Sequence, residues 1–167
     1  MHLSVAIETL ERKLDRLLES LVVGCWIRGA RGEPGFWSEQ VFKFYGLTPS
    51  EQAPPIETIL QQLDSSAQAG MWQSVERCTG GEEPFGLEYT VRTPTGANRM
   101  LKSRGYLTTS DRSEPMIIGT IQDVSAIQPL RNEIKFLTNA LRKTEISDGR
   151  PGGLTPRQWA RIEETIE

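Results

Sequence analysis

FGLEYTVRTPTGANRMLKSRGYLTT, residues 85–109, decides the fold. Phe85, Leu87, Tyr89 and Val91 are apolar and alternate with Gly86, Glu88, Thr90 and Arg92. Strict alternation of this kind predicts a strand with one buried face. Thr93, Pro94, Thr95 and Gly96 follow, with proline second and glycine fourth, which suits a tight turn. Asn98–Thr109 is then the returning strand. A second turn over Ser110–Pro115 leads into MIIGTIQDV, residues 116–124, with Ile117, Gly119 and Ile121 on one side. Three long strands joined by short turns make an antiparallel sheet.

Upstream of the hairpin the pattern is mixed. Val22–Arg28 reads as a short strand, closed by the turn-rich run Gly29–Gly35. Phe36–Ser38 is a second short strand. Ser38 stands where an N-cap belongs, before a helix over Glu39–Tyr45 that Gly46 ends. Pro54 and Pro55 open a helix over Ile56–Leu63, and Ala67–Cys78 is a third helical stretch. Two short strands, a helical middle and three long strands predict an α+β domain with a five-stranded antiparallel sheet and helices on one face.

A seamed helix lies on either side of this body. Leu3, Ile7, Leu10, Leu14, Leu17 and Leu21 are spaced 4, 3, 4, 3, 4 over residues 1–21. Ile127, Leu130, Ile134, Leu137 and Leu141 are spaced 3, 4, 3, 4 over residues 127–146. Both are coiled-coil-type stripes. A lone helix of this length is marginal in water, and each seam leucine gains roughly 1.5–3 kcal/mol on full burial, so each helix needs a partner. Leu10, Leu14, Leu17, Leu130, Ile134 and Leu137 are the expected dimerisation residues. The other reading is that the stripes pack within their own chain. Residues 147–167 start with a Pro/Gly linker and read as the opening of a further, truncated domain, with Thr155 as N-cap and Pro156 as first helical residue.

Bulk properties narrow the function. The 167 residues carry a net charge of -3, which gives no basic footprint for nucleic acid and no polybasic membrane anchor. Two cysteines, Cys25 and Cys78, and one histidine, His2, argue against a zinc ribbon, a disulfide framework, a Ser-His-Asp triad and His-ligated haem. There is no GxGxxG or P-loop glycine pattern. No apolar run is long enough to span a bilayer, and charges interrupt the first twenty residues where a signal peptide would be apolar. The expected compartment is the cytoplasm, with no membrane partner. The expected enzyme status is no catalytic activity.

The run FWSEQVFKFYGLTP (36–49), the run EPFGLEYTVRTPTGANRML (83–101) and the ending Gly119-Thr120-Ile121-Gln122-Asp123-Val124-Ser125 together resemble a PAS (Per-Arnt-Sim) sensory domain over residues 22–126. That resemblance implies a cavity between sheet and helices, with Phe44, Tyr45, Trp72, Tyr89 and Tyr106 as candidate lining residues. Tyrosine and tryptophan join an apolar body to a hydrogen-bonding tip, which suits a small-molecule pocket, although plain core packing also uses them. It also implies that Asp123 and Ser125 couple the sheet to the exit helix. Physically, Ser125 can cap exposed N–H groups and Asp123 can hold a cation or a local donor. The Asn-Cys-Arg-Phe run of the flavin photoreceptor subgroup is absent, so flavin–cysteine photochemistry is not expected, and the cofactor stays unknown. Arg99, Lys102 and Arg104 form a basic run on the returning strand.

GGLTPRQWARIEETIE (152–167) resembles the start of an AraC-type DNA-binding domain and, less well, of a LuxR-type one. The expected function is the sensory and dimerisation module of a signal-responsive transcription regulator, a homodimer with a small-molecule ligand, reaching DNA only through a missing C-terminal domain. The alternatives are the input domain of a histidine kinase or cyclic-dinucleotide enzyme, and a ligand-free protein-interaction module.

Overall fold

The computed structural model describes residues 2–33, 35–110 and 113–146. In chain order these form α1 (His2–Glu19), β1 (Val23–Gly29), β2 (Phe36–Trp37), α2 (Glu39–Tyr45), α3 (Ile56–Leu60), α4 (Ser65–Thr79), β3 (Phe85–Arg92), β4 (Asn98–Ser110), β5 (Ser113–Asp123) and α5 (Ile127–Ile146). The chain divides into two compact units: Leu21–Ser125, and a helical unit that contains α1 and α5.

In the Leu21–Ser125 unit the sheet order is β2-β1-β5-β4-β3, with antiparallel neighbours throughout. The hairpin turn forms as its residues dictate: the Gly96 N–H donates to the Thr93 carbonyl at 2.8 Å, and Gly96 takes the positive φ of 86° that glycine tolerates. Pairing of Tyr89 with Leu101 puts the odd-numbered residues of β3 and β4 on one face. Trp26 on β1 and Ile117 and Ile121 on β5 join that face. α2, α3 and α4 cover it, burying Val41, Phe42, Phe44, Tyr45, Ile59, Leu63, Met71, Val75 and Cys78 in the same core. The expected five-stranded α+β architecture is the one observed.

Local differences have local causes. β5 begins at Ser113 rather than Met116, because Ser110 pairs with Ser113 and a bulge near Thr108 extends the ladder past the expected turn. α4 begins at Ser65, because the Asp64 carboxylate accepts the Ala67 N–H at 2.8 Å and caps it. Ser38 occupies the N-cap position of α2 but caps nothing: its Oγ accepts the Cys25 N–H at 3.0 Å and its N–H donates to the Cys25 carbonyl. The hydroxyl extends the β1–β2 ladder instead.

In the helical unit, α1 packs on α5. Leu3, Ala6, Leu10 and Leu137 are buried together, with Ile7, Leu130, Ile134 and Leu141 half-buried beside them. Leu10 and Leu137, expected at a dimer seam, are thus buried within the chain, and each stripe has a partner there. Leu14 and Leu17 remain only half-buried. The expected linker and truncated domain, 147–167, lie outside the described residues. Among the described residues no helix is long and apolar enough to cross a membrane.

Candidate functional site

A cavity of about 810 Å³ opens between the inner face of the sheet and helices α2, α3 and α4. That volume falls within the range of small-molecule sites. Its floor is aromatic. The Trp26 indole lies across the sheet over Gly119, its cross-strand partner, and over Gly105 on the next strand. A methyl at Gly119 would meet the indole at 2.5 Å and collide with the Arg104 carbonyl, and one at Gly105 would meet the indole at 3.0 Å. The two glycines leave the recess the ring fills. The indole N–H donates to Ser103 Oγ at 3.0 Å and, more weakly, to the Thr120 carbonyl at 3.3 Å. Phe85 packs edge-on against Trp26 with ring centroids 5.3 Å apart.

The wall from α2 meets β3 through Tyr45 and Tyr89, whose hydroxyls share a buried 2.7 Å hydrogen bond. Burial raises both phenols, Tyr45 well above its ordinary value and Tyr89 to about 12, because the charged form loses its water. Both are neutral donor–acceptor groups at neutral pH, and they satisfy each other. Trp37 stacks obliquely on Tyr45 at 4.6 Å. Trp72 lines the mouth, 41% exposed, with the Arg28 guanidinium 5.6 Å above its ring.

Three of the five candidate residues thus line the cavity: Tyr45, Trp72 and Tyr89. Phe44 is buried in the core but is not a lining residue. Tyr106 is a correction. It is even-numbered on β4, pairs with Ile118, and is 62% exposed on the opposite face. Trp26, Trp37, Phe85, Met71 and Arg28, which the sequence reading passed over, are lining residues. Arg28 follows Gly24 and Trp26 on the inward-facing side of β1, so a charge at a position of inward parity was the available signal. Cys78 is buried at the end of α4 and Cys25 is exposed; neither lines the cavity. A flavin–thiol adduct needs a thiol at the ring, and the lining residues include no cysteine. Among the described residues no cluster of His, Cys, Asp or Glu could hold a metal ion.

The exit from the sheet is a second knot of polar contacts. Asp123 Oδ1 accepts from the Ser125 N–H at 3.0 Å and from the Ser125 hydroxyl at 2.6 Å. Ser125 Oγ accepts the Met100 N–H at 2.8 Å, and the Val124 N–H donates to the Met100 carbonyl at 2.8 Å. Asp123 and Ser125 are therefore brought together, and Ser125 joins them to β4 through the Met100 N–H. The basic run divides by parity. Arg99 donates to the Lys43 carbonyl at the end of α2 at 3.1 Å and lies 4.0 Å from Asp123, whereas Lys102 pairs with Glu88 at 3.5 Å. Arg99 links a wall of the cavity to the exit.

The family model described as PAS fold matches residues 35–121, more than half of the chain. The chain is 29% identical over 124 residues to a blue-light-activated histidine kinase of Brucella ovis, covering 73% of this chain and 24% of that protein. It thus spans about a quarter of the length of the curated relatives it matches. Among solved structures it is similar to a sensory box histidine kinase/response regulator from Burkholderia thailandensis, with 19% identity and a TM-score of 0.56, covering 72% of this chain and 91% of that one. It is also similar to the N-terminal domain of a diguanylate cyclase with PAS/PAC sensor from Marinobacter aquaeolei, with 15% identity and a TM-score of 0.54, covering 63% of this chain and 97% of that one.

Proposed function

This chain belongs to the PAS fold family, and from that premise we propose that it is the sensory input module of a larger signalling enzyme, of the histidine kinase or cyclic-dinucleotide class. The observation that carries the sensory reading is the 810 Å³ cavity, whose wall helix α2 is tied by Arg99 to the Asp123–Ser125 exit. A ligand that favours one pose of α2 shifts that exit by its differential affinity for the two poses. α5 begins two residues after Ser125, and in this reading it carries the change onward. In this reading the module senses, and catalysis resides elsewhere in the protein.

The kinase and cyclase character of the similar proteins favours such an output over the transcription-regulator reading, which rests on a tail outside the described residues. The remainder of the gene tests the point. A phosphotransfer or cyclase domain there supports this reading, and a helix-turn-helix domain returns it to a transcription regulator. Homodimerisation is part of the proposal: Leu14 and Leu17 are only partly buried, and Val5 and Phe136 are 48% and 38% exposed. Leu14→Ser with Leu17→Ser should halve the solution mass, and an unchanged mass would remove those residues from the interface.

A further inference from the structure

Arg28 is a cation of the cavity wall for which the described residues supply no carboxylate partner. The other interior groups close on one another: Tyr45 with Tyr89, and Trp26 with Ser103. Arg28 is half-buried, at a position of inward parity on β1. Its guanidinium lies over the face of Trp72, and among the described residues no carboxylate pairs with it. Arg31 beside it is paired with Glu114 at 3.3 Å, and Glu33 accepts the Arg31 backbone N–H. Burial lowers the Arg28 pKa, a sign that the cation has lost water without gaining a counter-charge.

We infer that the cavity takes an amphipathic organic monocarboxylate, its apolar body among Trp26, Trp37, Met71 and Phe85 and its carboxylate on the Arg28 guanidinium. This rests on the sensory reading of the cavity and deepens it. A planar guanidinium accepts a carboxylate through two parallel hydrogen bonds, and the partial desolvation at Arg28 strengthens the pair. A single negative charge is favoured over several. Glu33, Glu57 and Glu76 also line the cavity, so it carries three carboxylates against the two cations Arg28 and Arg31, a field that opposes polyphosphates.

The test is calorimetric titration of the purified chain with 3-phenylpropionate, 5-phenylpentanoate and indole-3-propionate, each beside its neutral primary amide. Each carboxylate should bind about tenfold or more tightly than its amide. Arg28→Gln and Arg28→Met should abolish the preference, Arg28→Met keeping an apolar stem against Trp72, while Arg28→Lys retains part of it. Circular dichroism of each variant confirms the fold. Amides that bind as tightly as the acids, or a preference that survives loss of the guanidinium, would overturn the inference and leave the cavity as a site. Failure of both series to bind would overturn the inference alone, because the sensory reading is tested separately by whether the chain takes up any small molecule.

Discussion

Gly119→Ala isolates the contact on which the cavity floor depends. The added methyl would meet the Trp26 ring at 2.5 Å and the Arg104 carbonyl closer still. The carbonyl belongs to the β4–β5 ladder, so the indole is the group free to move. Lifting it strains the core by about 1–3 kcal/mol. It also breaks the 3.0 Å bond to Ser103, which adds about 1–3 kcal/mol for buried groups left unpaired. The sum is about 2–6 kcal/mol, a fall in Tm of roughly 4–24 °C for a chain of this size. Differential scanning calorimetry with urea titration measures it. A double-mutant cycle with Trp26→Phe assigns the cost: coupling of about 1 kcal/mol or more places it on the indole. A Gly119→Ala protein within about 0.5 kcal/mol of the parent, the scale of a harmless substitution, would refute the reasoning.

Further outcomes follow from the same contacts. The raised tyrosine pKa values mean the native state holds protons that the unfolded chain releases above its ordinary value near 10, so this contribution is intact below pH 10 and is lost as pH rises toward 12. Tyr89 alone should cost roughly 3 kcal/mol across that window, and Tyr89→Phe should flatten the alkaline limb of a stability–pH profile. Ser125→Ala removes the acceptor of the Met100 N–H and should lower stability by about 1–3 kcal/mol, with ligand affinity at the cavity little changed. Asp64→Ala deletes the cap of α4 and should cost about 1 kcal/mol in urea unfolding.

Much of the fold could be read from the alternation of Phe85, Leu87, Tyr89 and Val91, because a half-buried strand writes its faces into every second residue. The same parity would have placed Tyr106: in the observed register the odd residues of β3 and β4 face the helices, so an even tyrosine on β4 faces away. Residue type selected it, where register decides. Gly119 was legible as a motif residue, but its cause, the Trp26 ring lying across two strands, depends on which strands become neighbours. β1 pairs with β5 about ninety residues later in the chain, and no local pattern encodes that. Asp123 and Ser125 were found from their place at the strand end. Arg99, which ties them to α2, was read only as part of a charged run because its partner is the Lys43 backbone carbonyl. The leucine stripes announced a seam but not whose surface fills it.

Native mass spectrometry of the purified chain, beside a Val75→Phe variant that fills the cavity wall, tests the central claim most directly. The account predicts a small organic molecule that is retained by, or can be loaded onto, the parent from a metabolite extract, and that is lost in the variant at unchanged fold. A folded parent that takes up nothing, or a variant that holds the molecule as well as the parent, would contradict it.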